Sequence, residues 1–396
     1  MIVRKNVMSG FSPWQFLRGK VVTTGMIRLG KCQRIVVKVG TSSLTHSTGK
    51  IELRRMELLV RQIADLSNGG REMILVSSGA VGVGMGKLNY GKPPKTLPEK
   101  QALAAVGQGG LMHIYEKLFA EYDRHVAQLL LTRDVFADPQ RYLNVRNTLA
   151  ALLDFGTVPI INENDPVAAE ELRFGDNDTL AASVAVAADA DLLVILSDID
   201  GLYDADPRQN PKARIIPLVR EITEEMLAGS QSKGSPVASG GMWTKLLAAR
   251  IAMSCGIPMV VASGNETDPL RRLLSGERLG TLFVPRGGGY RSKRRWLAAG
   301  SAPAGKIRVD SGAARVLSRG GRSLLPSGVV TVEGRFERGD VVAVVAPEGK
   351  EVVRGIVNFS DWEVARIAGR HTHEIELLLG RRGYDEVISR NNLVLV

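Results

Sequence analysis

Ile35-Val36-Val37-Lys38-Val39-Gly40-Thr41-Ser42 is the stretch that decides the fold. A β-branched run that does not alternate with polar residues reads as a strand buried on both faces, the kind found in a mostly parallel sheet covered by helices. Near its end come one lysine, a glycine and two hydroxyls. Glycine lets backbone N–H groups approach phosphate oxygens, and the lysine adds a point charge.

Working outward, runs of the same texture at 73–76, 126–131, 158–161, 192–196 and 259–262 read as further strands, and residues 52–66, 100–121, 143–153, 179–188 and 242–253 as helices. Strand and helix alternating in this way imply an α/β chain, a three-layer αβα sandwich around a mostly parallel sheet. Ligands of such sheets bind beyond the carboxyl ends of the strands. Lys38 to Ser42, Ser77-Ser78-Gly79-Ala80, Asn162-Glu163-Asn164-Asp165 and Ser197-Asp198 all fall there.

A second lysine lies in Ser239-Gly240-Gly241-Met242-Trp243-Thr244-Lys245, at a helix start, where backbone N–H groups and the helix dipole already favour anions. The P-loop pattern Gly-x-x-x-x-Gly-Lys-[Ser/Thr] is absent, and no Gly-x-Gly-x-x-Gly follows the first strand. The alternating glycines of 81–86 read as close packing of a helix or as a loop near substrate. In Gly175-Asp176-Asn177-Asp178-Thr179, the carboxylates have two readings: they cap the next helix, or they orient the lysines and hold a cationic group on the substrate. The five histidines are isolated, and Ser78 has no partner base, so it reads as a hydrogen-bond donor to substrate. A site without a base suits a carboxylate acceptor, which is already an anionic nucleophile at neutral pH. Alignment and charge neutralisation by two lysines and Mg²⁺ then suffice.

The 396 residues carry a formal charge of +11, distributed unevenly. The first 51 hold nine Lys or Arg and no Asp or Glu, and residues 286–304 hold five basic and no acidic residues. Both segments read as solvated extension or linker. Residues 1–33 are expected to be a basic, disordered extension upstream of the true start, with Met26 just before the first strand. No apolar run reaches membrane-spanning length, so a soluble, cytoplasmic protein is expected. With Cys32 and Cys255 alone, no disulfide framework or cysteine-rich metal site can form. After Phe283 the texture changes to short strand-like segments punctuated by glycine, a small, mostly β unit. The domains expected are therefore 34–285, a linker 286–304 and 305–396.

Lys38-x-Gly40-Thr41-Ser42, Ser77-Ser78-Gly79-Ala80, Gln101 to Gln108, Asn162 to Asp165, Gly175 to Asp178, Gly201-Leu202-Tyr203 and Gly240-Gly241-Met242-x-Thr244-Lys245 together resemble the glutamate 5-kinase family of the amino acid kinase superfamily. Residues 305–396 resemble a PUA domain, a small pseudo-barrel. The resemblance implies transfer of the ATP γ-phosphoryl group to the side-chain carboxylate of L-glutamate, the first step of proline synthesis. It implies that Lys38 and Lys245 stabilise the transferred group and that Asp178 holds them. Ser78, Asp165 and Asn177 would bind glutamate, with Asp165 facing its ammonium. Lys38, Gly40, Ser197, Asp198, Ser239, Gly240, Gly241, Met242, Trp243, Thr244 and Lys245 would line the ATP site, with Mg²⁺ carried by the phosphates and no protein metal site. It further implies proline as feedback inhibitor, a homo-oligomer (dimer or tetramer) and coupling to glutamyl-phosphate reductase. Nucleic acid is not expected as the main partner: an RNA binder has no need of the lysine, aspartate and glycine set in 34–285. Ala238-Ser239 stands where the family has Gly-Thr, and Trp243 fills its variable position.

Overall fold

The computed structural model describes residues 28–46, 50–168, 177–207, 209–230, 241–285, 303–319, 322–381 and 383–395. The expectations for most of the basic extension, for most of the linker and for Asp176, Ser239 and Gly240 lie outside the described residues.

The first sheet has eight strands: β1 (Arg34–Val39), β2 (Glu72–Ser77), β3 (Val126–Leu131), β4 (Val158–Glu163), β5 (Leu192–Ser197), β6 (Leu218–Val219), β7 (Met259–Ser263) and β8 (Thr281–Phe283). Their order is β3-β4-β2-β1-β5-β7-β8-β6, and the first six in that order run parallel. Only the β7–β8 pairing is antiparallel. Parallel strands put their carboxyl ends on one rim, which gathers Lys38, Ser77, Glu163 and Ser197.

The helices are α1 (Leu53–Asn68), α2 (Ala80–Lys87), α3 (Leu97–Ala120), α4 (Asp134–Ala137), α5 (Pro139–Asp154), α6 (Asn177–Ala187), α7 (Glu224–Ser230), α8 (Met242–Ser254) and α9 (Pro269–Leu274). Strand periodicity sorts them into two layers. Ile35, Val37 and Val39 pack into a core with side chains of α1, α3 and α9. Val36, between them, packs into the other core with α5, α6 and α8. Successive strand residues face opposite ways, so Lys38 shares the face of Val36 and points at the α6 and α8 layer.

Of the two readings of the alternating glycines, the structure gives the helix, α2, which contains Gly82, Gly84 and Gly86 and packs on α3. Its glycines serve helix packing. A Cβ on Gly84 would lie 1.9 Å from the Leu103 carbonyl oxygen, and one on Gly107 of α3 would lie 1.7 Å from that of Ala80. The two backbones therefore touch. Gly79, which turns the chain from β2 into α2, has φ +107, a conformation that disfavours any Cβ. We expect Gly107→Ala to destabilise the fold by about 1–3 kcal/mol or more through overpacking. Gly109→Ala on the same helix, where a Cβ meets nothing within 4 Å, should be neutral or stabilising. Denaturant midpoints of the two variants check this; equal midpoints refute it.

The second sheet, order β10-β9-β11-β12-β13, comprises β9 (Gly305–Val309), β10 (Val329–Gly334), β11 (Val341–Val345), β12 (Glu351–Ile356) and β13 (Leu393–Leu395). Three short helices, Ser311–Ser318, Asp361–Ile367 and Ile375–Leu379, accompany it, and the first two contribute Leu317, Val364 and Ile367 to its core. The reading of the sequence left these helices unassigned. This unit is docked on α5. Buried Arg146 donates to the Asn392 side chain, to the Asn391 carbonyl and to Asp189, which follows α6. Asn392 in turn donates to Asn147 at 3.2 Å. Among the described residues no helix is long and apolar enough to cross a membrane.

Candidate active site

Lys38, near the end of β1, reaches Asp178 at the start of α6, with Nζ 2.6 Å from Oδ1. Lys245, in the first turn of α8, reaches the other oxygen of the same carboxylate, with Nζ 3.1 Å from Oδ2. The Thr244 hydroxyl lies 3.0 Å from Oδ2 and 2.8 Å from the Gly241 carbonyl oxygen; its one proton serves one of them at a time. Exposure of the three charged residues is 4%, 2% and 0% for Lys38, Lys245 and Asp178. Helices α6 and α8 both begin here, so their positive ends add to the lysine charges. Gly241 caps α8 without a side-chain hydrogen bond, which leaves backbone N–H groups of the first turn available to an anion.

Burial by itself raises the Asp178 pKa. The ammonium charges of Lys38 and Lys245 outweigh that and hold the carboxyl below its ordinary value. Asp178 is therefore ionised at neutral pH and bridges two cations contributed by elements more than two hundred residues apart in sequence. Two ammonium groups fixed on one carboxylate suit a transferred phosphoryl group, whose charge spreads over three oxygens.

On the other side of Asn177 lies a polar network. Asn177 Nδ2 donates to Ser78 Oγ at 2.8 Å and to the Ser77 carbonyl at 3.2 Å. Asp165, in the turn after β4, lines a cavity of about 260 Å³ with Ala80, Gln108, Glu163 and Gln128. Of the residues singled out from sequence, Lys38, Thr244 and Lys245 meet at the Asp178 carboxylate, and Ser78 meets Asn177. Asp165 faces the cavity that Gln108 also lines. Ser197 Oγ donates to Asp198 at 3.0 Å, at the end of β5, and Gly40 keeps its Cα side open, a Cβ there standing 3.8 Å from Lys38 Nζ. Met242 and Trp243 occupy the first turn of α8, with Trp243 37% exposed.

The family model described as the amino acid kinase family matches residues 33–263, and that of the PUA domain matches residues 305–379. The chain belongs to the amino acid kinase family. Within the amino acid kinases it is similar to the glutamate 5-kinase of Moorella thermoacetica, 52% identical over 370 residues that cover 93% of this chain and 98% of the relative. The glutamate 5-kinase of Caldanaerobacter subterraneus is 53% identical over 363 residues (92% and 98%), and that of Carboxydothermus hydrogenoformans 53% over 369 residues (93% and 99%). Among solved structures, UMP kinase from Bacillus anthracis aligns with a TM-score of 0.46 at 18% identity, covering 65% of this chain and 97% of that one.

Gln108, Asn162, Ser77 and Tyr115 of this amino acid kinase were not assigned roles from sequence, yet all four are buried: Asn162 bonds Asn177 and Gln108, and Tyr115 bonds Ser77. The available signal was a glutamine with a tyrosine seven residues later inside a long helix of small and apolar residues, which places both on one face two turns apart.

Proposed function

We propose that the protein transfers the γ-phosphoryl group of ATP to the side-chain carboxylate of L-glutamate, giving L-glutamyl 5-phosphate. The observation that carries this reading is the buried pairing of Lys38 and Lys245 on Asp178, and relatives named glutamate 5-kinase span nearly the whole chain. In this mechanism the glutamate carboxylate attacks the γ-phosphorus in line, and ADP leaves. Lys38 and Lys245 neutralise charge growing on the transferred oxygens, and Asp178 keeps both ammonium groups aimed. No proton has to leave the nucleophile. Ser78, Asn177 and Asp165 hold glutamate, with Asp165 a partner for its ammonium.

The ATP phosphates fit the two lysines and the open N-terminus of α8, with Gly40, Ser197, Asp198 and the segment from Ser239 to Trp243 around the nucleotide. Among the described residues no group of three or more His, Cys, Asp or Glu is placed to hold a metal ion. In this reading Mg²⁺ would be held by the ATP phosphates and would supply charge screening there. The same reading divides the chain into a catalytic domain over 34–285, a linker over 286–304 and a PUA-like domain over 305–396. It puts the enzyme in the cytoplasm as a homo-oligomer, inhibited by proline, handing its acyl phosphate to a reductase.

An ATP-dependent hydroxamate assay tests acceptor and reaction together. Hydroxylamine should trap product with L-glutamate, and turnover of N-acetylglutamate or aspartate should be weaker by at least about two orders of magnitude in kcat/KM, as expected where buried polar groups read the substrate. Preference for another acid refutes the reading.

A further inference from the structure

The strand order β4-β2-β1-β5-β7-β8 divides the rim at Lys38. Ser78 follows β2 and Asp165 follows β4, so the groups assigned to the acceptor lie on one side of Lys38. In-line transfer sets donor and acceptor on opposite sides of the transferred phosphorus, so the rest of the nucleotide extends over the ends of β5 and β7. The chain between β5 and β6 bounds that side, and its two arms pair with each other. The Ile216 N–H donates to the Leu202 carbonyl at 2.7 Å, and the Asp204 N–H to the Arg214 carbonyl at 3.0 Å. The outgoing arm carries Asp198, Asp200 and Tyr203, whose phenol donates to Asp200 at 2.9 Å.

Thr281, the first residue of β8, ties these arms to the sheet. Because β8 runs antiparallel to β7 it starts on the rim side, with Thr281 paired to Val261. The buried Thr281 hydroxyl accepts from the Leu202 N–H at 2.8 Å and donates to the Ile216 carbonyl at 2.8 Å, so one side chain spans both arms. Backbones close in around it. A Cβ on Gly201 would stand 2.8 Å from Thr281 Oγ1 and 3.1 Å from Ile215 Cγ2, and one on Gly280, where φ is +66, would lie 1.9 Å from the Val261 carbonyl oxygen and 2.8 Å from that of Asp200. The returning arm is also held by the backbone of β8, the Leu282 N–H donating to the Pro217 carbonyl at 3.0 Å. For the outgoing arm the Thr281 hydroxyl stands where a ladder bond would.

We propose that Thr281 is a positioning residue for the nucleotide: its hydroxyl holds the arm that carries Asp198, Asp200 and Tyr203 against the sheet, where that arm walls the nucleoside of ATP. This rests on the kinase reading above. Without the hydroxyl, the Leu202 N–H and the Ile216 carbonyl both lose their partner. The arms keep their bonds to each other, so the relief open to them is to swing together away from the start of β8 until water reaches both groups. That swing loosens the nucleoside side of the site. Lys38, Asp178 and Lys245 are held on β1, α6 and α8 and stay where they are.

The test uses the full-length chain with Thr281→Val, which keeps shape and loses both bonds, and Thr281→Ser, which keeps the hydroxyl. Thr281→Val should raise KM for ATP and Kd for ADP about tenfold, with kcat at saturating ATP and KM for glutamate nearly unchanged, and Thr281→Ser should restore most of the loss. Pyrophosphate, which carries charge for the lysines and no nucleoside, should inhibit wild type and Thr281→Val with the same Ki. Gly201→Ala keeps Thr281 but pushes the same arm off it, so it should give the same split and decides the matter where Thr281→Val does not fold. An ADP Kd unchanged in these variants overturns the proposal, as does a pyrophosphate Ki that rises in step with it. Thr281→Ser as impaired as Thr281→Val, or kcat and glutamate affinity lost in parallel with ATP affinity, also overturns it, because that is the pattern of a merely structural residue. Calorimetric titration of ADP needs no glutamate, so the two readings fail separately: a wild type that turns over no glutamate defeats the acceptor reading, and variants that bind ADP as wild type does defeat this one.

Discussion

Replacing Lys245 by alanine is expected to lower kcat by about two to three orders of magnitude, equivalent to roughly 2.7–4 kcal/mol of transition-state stabilisation, and to leave the protein folded. The fold survives because Asp178 keeps Lys38 at 2.6 Å and the Thr244 hydroxyl at 3.0 Å. In the proposed mechanism, what is lost is a preorganised ammonium group where charge grows on the transferred phosphoryl between ground and transition states. The effect should therefore appear in kcat and kcat/KM alike, with a smaller change in KM for glutamate. Lys38→Ala should behave similarly, since β1 holds Lys38 on the same carboxylate from the opposite side. Steady-state rates at saturating ATP and glutamate, with circular dichroism as the control for folding, check both variants. Turnover within a few-fold of wild type in either would remove that lysine from the chemistry.

The prominence of Lys38 was legible because strand periodicity is strict. Once Ile35 to Val39 is a strand buried on both faces, Lys38 must share the face of Val36, and the helices on that face were readable from their own periodicity. That Asp178 joins the two lysines follows from α6 and α8 starting on that rim; residue types left the carboxylates of 176–178 with two readings, and only the family resemblance singled out Asp178. The hydrogen bonds around Asn177 and Asn162 were another matter. Gln108 is buried and accepts from Asn162 of β4, a residue 54 positions away, which no local pattern announces. Strands β6 and β8, of two and three residues, are too short to carry a period. The docking of the second sheet on Arg146 joins residues some 246 apart in sequence and leaves no local pattern to read.

Asp178→Asn should be the most damaging conservative change in the molecule. It preserves shape and removes the one charge that both lysine ammonium groups share, so it acts on stability and on rate through the same atoms. Removing one partner of a buried ion pair destabilises by about 3–5 kcal/mol, and misplacing catalytic groups by about 1 Å lowers rate about a hundredfold. The pH dependence separates this effect from general damage. Burial tends to raise the carboxyl pKa, but the two lysines hold it below the ordinary value in the folded state. A depressed carboxyl pKa stabilises the fold in full above the unfolded value, and that contribution is lost as the pH falls through the folded one. Wild type should thus exceed Asp178→Asn in stability by the whole amount at neutral pH, and the gap should close below about pH 4, where unfolded aspartate takes up its proton. Urea unfolding of both proteins across that range measures the gap directly. A gap that stays constant down to the acid limit would mean that the loss comes from packing and not from the charge of Asp178.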